Sequence, residues 1–108
     1  MYAQCIFLDY DIRIVEERAG AELASTSDSW KTLMESGVTV SNGSDCPVEL
    51  PDVMAGIQCA VTRKTLDGTM GPYLPKEAFT VQEALDSFTK TAAFSSFDEK
   101  NKGQILPG

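Results

Sequence analysis

Val38-Thr39-Val40-Ser41-Asn42-Gly43-Ser44-Asp45-Cys46-Pro47-Val48-Glu49 is the stretch on which the fold turns. Val38 to Ser41 is rich in β-branched residues and reads as a strand, with 38–44 as its expected span. Asn42-Gly43-Ser44-Asp45 is turn-prone. Pro47 and Pro51 exclude regular structure just beyond it. A carboxylate at the carboxyl end of a strand is a frequent active-site placement in α/β folds. Asp45 therefore has two readings: an aspartate capping its turn, or a group that binds a metal, takes a proton from water, or both. Gly43 lets the backbone turn closely at that point.

Upstream, Ala3-Gln4-Cys5-Ile6-Phe7-Leu8 is a short apolar run that reads as a buried strand over 3–8, although periodicity alone does not exclude helix. A helix is expected over 11–23, with Asp11 as cap and Ile12, Val15, Ala19 and Leu23 on one side. Gly20 weakens it by about 1 kcal/mol relative to alanine. Ser29 is placed to cap a helix over 30–36, and Gly37 suits the left-handed residue that ends one.

Downstream, Asp52 caps an expected helix over 53–64, with Val53, Ile57, Ala60, Val61 and Lys64 as its stripe. Residues 65–79 form a loop containing Gly68, Gly71, Pro72 and Pro75. Thr80-Val81-Gln82-Glu83 matches a capping box that opens helices over 80–97. The tail, 98–108, reads as a turn with a stub of strand. Trp30, Phe88, Phe94 and Phe97 are assigned to core packing.

Strands alternating with helices imply an α/β fold with parallel pairing. Two parallel strands do not make a sheet covered on both faces. The chain therefore reads as a slice of a larger α/β fold.

The chain has 108 residues, enough for one small domain, and 43% of them are hydrophobic. Its 16 acidic and 9 basic residues leave a net charge of −7, which argues against nucleic acid and against anionic membranes as partners. No apolar run approaches the roughly 20 residues of a membrane span, and no signal peptide is evident. Cys5, Cys46 and Cys59 are odd in number and show no metal-ligand spacing, which fits reduced thiols and a cytoplasmic location. The most informative count is histidine, of which there is none. Any hydrolytic chemistry by this chain alone would lack the usual acid/base group and the commonest metal ligand.

Gly43-Ser44-Asp45-Cys46-Pro47-Val48-Glu49 resembles the last-strand motif of the metal-dependent amidohydrolases, and most closely the amidohydrolase 3 group of TIM-barrel hydrolases. Other segments agree in order: Gln4 to Leu8 with Asp9-Tyr10-Asp11, Trp30 to Leu33 with Gly37-Val38, Ala60 to Arg63 with Asp67-Gly68, Thr80 to Leu85, and Lys102-Gly103 with Pro107-Gly108. The resemblance covers nearly the whole chain. It implies a partial TIM (β/α)8 barrel, namely the last two strand–helix units plus the helices that follow.

The resemblance also implies a function. In that family the last-strand aspartate contacts the metal and takes the proton of the attacking water, and Asp45 matches it. The cofactor implied for the complete enzyme is a divalent metal, with zinc the leading choice. The substrate implied is a small molecule carrying an amide or other non-peptide C–N bond. The family's histidines lie on earlier strands and have no counterpart here, so the isolated chain is expected to be inactive and to hold no metal tightly. Thr91 stands where the family tends to have asparagine.

Arg63 is a candidate for orienting a substrate carboxylate, against the reading of a surface arginine near a helix end. Glu49 is a candidate for the pocket mouth, against a solvated loop acid. Asp9 and Asp11 are assigned to caps and turns rather than to a cation. Cys46 has no histidine to activate it. Two alternatives stand beside the hydrolase: a non-enzymatic α/β unit that self-associates or docks with remaining barrel segments through open strand edges, and a binding module built on the 66–77 loop.

Overall fold

The computed structural model describes residues 1–107 as a small α/β fold of short helices around two strands. Strands β1 (Tyr2–Ala3) and β2 (Ser41–Asn42) pair in parallel, Tyr2 opposite Ser41 and Ala3 opposite Asn42. Helices α1 (Leu8–Asp11), α2 (Val15–Ala19), α3 (Ala21–Ala24) and α4 (Trp30–Glu35) fill the crossover. Helices α5 (Val53–Thr62), α6 (Val81–Phe88) and α7 (Lys90–Ser95) follow. The extents are 50 × 28 × 23 Å and the radius of gyration is 14.2 Å, above the roughly 13 Å of a compact domain this long.

The core lies where α4, α5 and α6 meet the strand pair. It contains Ala3, Cys5, Leu8, Trp30, Val40, Ile57, Cys59, Ala60, Phe79 and Ala84, with Phe88 packed against it. Truncating a buried aromatic such as Trp30 in a core this small would cost about 3–5 kcal/mol.

Several spans differ from expectation. The strand expected over 3–8 ends at Ala3. Gln4 leaves the extended region (φ −124°, ψ 64°), and Cys5–Phe7 forms a 3-10 turn that runs into α1. Cys5 and Leu8, both fully buried, lie three residues apart, and that spacing suits a helical turn rather than a strand.

The helix expected over 11–23 is three pieces. Asp11 closes α1 instead of capping a new helix. Gly20, at φ +79° and ψ 154°, breaks α2 from α3 in a conformation that an L side chain rarely adopts. Leu23, assigned to the apolar stripe, is 66% exposed. Phe94 and Phe97, assigned to the core, are also exposed. Phe97 follows the end of α7 at φ +58°, so its side chain leaves the helix line.

Local chain chemistry sets the other ends. Ser29 does not cap α4; its hydroxyl donates to Thr26 O at 2.9 Å. Gly37 (φ +92°) closes that helix. Its N–H donates to Met34 O and the Val38 N–H to Leu33 O, a paired closure of orphan carbonyls. Asp52 accepts from the Ala55 N–H at 3.0 Å and starts α5. Thr80 and Glu83 exchange side-chain and backbone bonds at the start of α6. The loop expected over 65–79 contains a 3-10 turn, Pro75–Glu77. The tail carries turns and no strand among the described residues. No described helix is long and apolar enough to cross a membrane.

Candidate functional site

Because the strands are parallel, their carboxyl ends lie side by side. The Gly43 N–H donates to Ala3 O at 3.1 Å. Asn42 Oδ1 accepts from the Cys5 N–H at 3.2 Å and from the Gly43 N–H at 2.9 Å, tying the two strand ends together. Asp45 follows three residues past the end of β2, exposed, at φ +54°. Its N–H donates to the Tyr2 hydroxyl at 3.0 Å. The turn is closed by the Val48 N–H on Asp45 O at 2.9 Å and the Glu49 N–H on Ser44 O at 3.3 Å. The carboxylate is carried at the strand-end rim on a backbone fixed from both sides. Glu49 lies on the same turn and is half-buried.

A cavity of about 130 Å³ adjoins the turn, lined by Ile6, Gly43, Ser44, Asp52, Val53 and Phe88 among others. It separates the turn from the start of α5.

Arg63 is not brought to this turn. It sits at the other end of α5, ten residues and about 15 Å along the axis from the start of the helix. It is 1% exposed and left-handed (φ +55°). Its Nε donates to Tyr73 O at 2.8 Å and its Nη1 to Asp28 O at 3.2 Å. Its guanidinium carbon stands 5.6 Å from the centre of the Trp30 ring and 5.8 Å from that of Tyr73. Neither sequence reading, substrate contact or surface residue, describes this environment. Burial holds the guanidinium below its usual basicity, with the Asp28 charge opposing. Burial pushes the Asp28 carboxyl up, with Arg63 opposing.

The remaining candidates are placed as follows. Asp9 Oδ1 accepts from the Leu66 N–H at 2.6 Å, and Asp11 is half-buried. At the exposed start of the 66–77 loop, Asp67 Oδ1 accepts from the Thr65 hydroxyl and from the Thr69 N–H and hydroxyl. Cys46 is exposed, while Cys5 and Cys59 are buried, with their thiols pushed up to about 12 and about 11 by burial. Among the described residues no three His, Cys, Asp or Glu side chains converge on a cation-sized space. With histidine absent, the groups present do not make a metal site by themselves; Asp45 offers one donor. Sequence reasoning missed Tyr2, which reaches the Asp45 turn from the paired strand, and Asn42, which ties the two strand ends together.

A sequence model of the amidohydrolase family matches residues 2–108. The amidohydrolase-family protein YtcJ of Bacillus subtilis (strain 168) is 37% identical over 103 residues, covering 94% of this chain and 20% of its own length. Two solved structures are similar. An uncharacterized metal-dependent hydrolase from Pyrococcus furiosus superposes with a TM-score of 0.79 at 28% identity, over 99% of this chain and 21% of that one. One from Pyrococcus horikoshii OT3 gives 0.84 at 24% identity, over 98% and 21%. The chain spans about a fifth of the length of these relatives.

Proposed function

The chain belongs to the amidohydrolase family, and from that premise we propose that it is a carboxyl-terminal part of a metal-dependent hydrolase. The substrate class is a small molecule with an amide or other non-peptide C–N bond. The architecture is the last two strand–helix units of a TIM (β/α)8 barrel, with α6 and α7 following. The parallel β1–β2 pair, the helical crossover and the one-fifth coverage of the relatives support that reading. The observation that carries it is the exposed Asp45 carboxylate, held just past the carboxyl end of β2 by a turn pinned at both peptide groups.

In this reading Asp45 accepts the proton of the attacking water. Glu49, on the same turn, lines the mouth of the site. A divalent cation, zinc first, belongs to the complete enzyme, and its other ligands come from outside these 108 residues. The 108-residue chain alone is inactive, and its setting is the cytoplasm. Arg63 is left to hold the fold.

The test uses the longer protein that contains this segment, assayed on a panel of small amides and cyclic C–N substrates. Asp45→Asn is expected to lower kcat at least about 100-fold with the fold intact. Calorimetry of the 108-residue chain with zinc is expected to give no tight stoichiometric binding. Full turnover by Asp45→Asn, or tight zinc binding with turnover by the short chain, overturns the reading.

A second reading, a self-associating α/β unit, is favoured by the exposure of Phe97 (94%), Ile105 and Leu106 near the carboxyl end. Sedimentation of the pure chain decides it: a dimeric mass supports association and a monomeric mass removes it.

A further inference from the structure

We infer that Tyr2 is a positioning residue for Asp45: its hydroxyl takes the Asp45 N–H while its ring fills the space left by Gly43, and together they hold Asp45 in its left-handed conformation. The inference rests on the reading of Asp45 as the working carboxylate.

Asp45 sits at φ +54°, a left-handed region that residues other than glycine occupy at a cost, aspartate at less than most, and that contacts from the surroundings hold in place. Two contacts impose it here. On the carbonyl side the Val48 N–H donates to Asp45 O at 2.9 Å. On the amide side the Tyr2 hydroxyl accepts the Asp45 N–H at 3.0 Å. With both peptide groups fixed, the carboxylate retains only its side-chain torsions.

The phenol reaches that amide by crossing the neighbouring strand. Tyr2 pairs with Ser41, two residues before Gly43, and its ring runs from there over Gly43 to the turn. A Cβ on Gly43 would stand 2.9 Å from Cζ and Cε2 of Tyr2, and closer still to the hydroxyl. Gly43 and Tyr2 are thus a matched pair: the absent side chain at 43 is what lets the phenol lie where the Asp45 amide needs an acceptor. The phenol takes the amide proton on an oxygen lone pair and keeps its own proton to donate.

The test is NMR on the uniformly labelled 108-residue chain. A positive φ brings a residue's own N–H and Hα close together, so wild-type Asp45 is expected to show a strong intraresidue N–H/Hα NOE and slowed amide exchange. In Tyr2→Phe, which keeps the ring and removes the acceptor, Asp45 exchange is expected to speed up about tenfold and the NOE to weaken. The amides of α5 and α6 keep their protection; a merely structural role would lower it throughout. Gly43→Ala, which displaces the phenol without deleting it, is expected to give the same signature. Carried into the longer protein, Tyr2→Phe lowers kcat several-fold at unchanged KM. Asp45 signals unchanged in Tyr2→Phe, or an unchanged kcat in the longer protein, overturn the inference. Failure at Asp45 leaves the hydrolase reading standing, whereas full turnover by Asp45→Asn sinks that reading and leaves the NMR result intact.

Discussion

The guanidinium of Arg63 lies 5.6 Å from the centre of the Trp30 ring, inside the core, and joins the end of α5 to the start of α4. Its directed bonds go to two backbone carbonyls, Tyr73 O and Asp28 O. A cation this buried is tolerated because its charge is spread over a planar fork that can lie on aromatic faces and donate in several directions.

Arg63→Lys tests that role. A lysine keeps the charge but cannot stack flat or reach both carbonyls at once. The expected loss is about 2–3 kcal/mol, read by urea unfolding of the chain, because the aromatic stacking is lost and at least one of the two half-buried carbonyls loses its donor. A lysine variant as stable as the parent would return Arg63 to the list of groups free to meet a substrate.

Gly56 and Phe88 make a second prediction. A Cβ on Gly56 would stand 2.7 Å from Cζ of Phe88, so α5 and α6 approach this closely only because position 56 has no side chain. Gly56→Ala would gain up to about 1 kcal/mol in helix propensity and lose more to the clash. The expected net loss is about 1–2 kcal/mol in thermal unfolding, with Phe88→Leu in the same chain recovering most of it. A more stable Gly56→Ala would mean that the helices are free to separate.

The features legible in the sequence are those whose partners are close along the chain. The Asp52 cap, the Thr80/Glu83 box and the Gly37 closure each complete within five residues, so local pattern suffices. Asp45 past a strand is local as well. The apolar run at 3–8 was ambiguous because strand and buried helical turn share its composition, and tertiary packing of Cys5 and Leu8 decides for the turn. Gly20 read as a propensity cost, whereas its backbone angle makes it a break. Arg63 and the Tyr2–Asp45 contact depend on partners 10 to 43 residues distant, and nothing in their own neighbourhoods announces them.

The cysteines separate by burial. Cys5 and Cys59 lie in the core, with their thiols pushed up to about 12 and about 11, chiefly by burial. The thiolate is the reactive form, so neither is expected to alkylate in the native chain at pH 8. Cys46 is exposed on the Asp45 turn. Mass spectrometry after brief iodoacetamide treatment should show one modification, at Cys46, and three once urea unfolds the chain. Early modification of Cys5 or Cys59 would mean that the strand–helix core opens readily.

Acid sensitivity should come in part from Glu83. The Lys31 ammonium donates to its carboxylate, and the Thr80 N–H donates to Oε2 at 2.8 Å. The hydrogen bond from Lys31, first among the causes, holds its carboxyl below the usual range in the folded chain, against a smaller opposing effect of burial. A carboxyl depressed on folding contributes stability that is full above its unfolded value near 4.3 and is lost as pH falls through the lower folded value. Glu83→Gln keeps an acceptor for Thr80 but gives up the charged partner of Lys31. The expected cost is about 1 kcal/mol at pH 7, shrinking as pH falls through the lowered folded value and the wild-type carboxyl takes up its proton. Melting curves of both chains from pH 7 to pH 3 should therefore converge. Parallel curves would place the stabilising effect in packing or in the cap, and would remove the Lys31–Glu83 pair as the electrostatic link between α4 and α6.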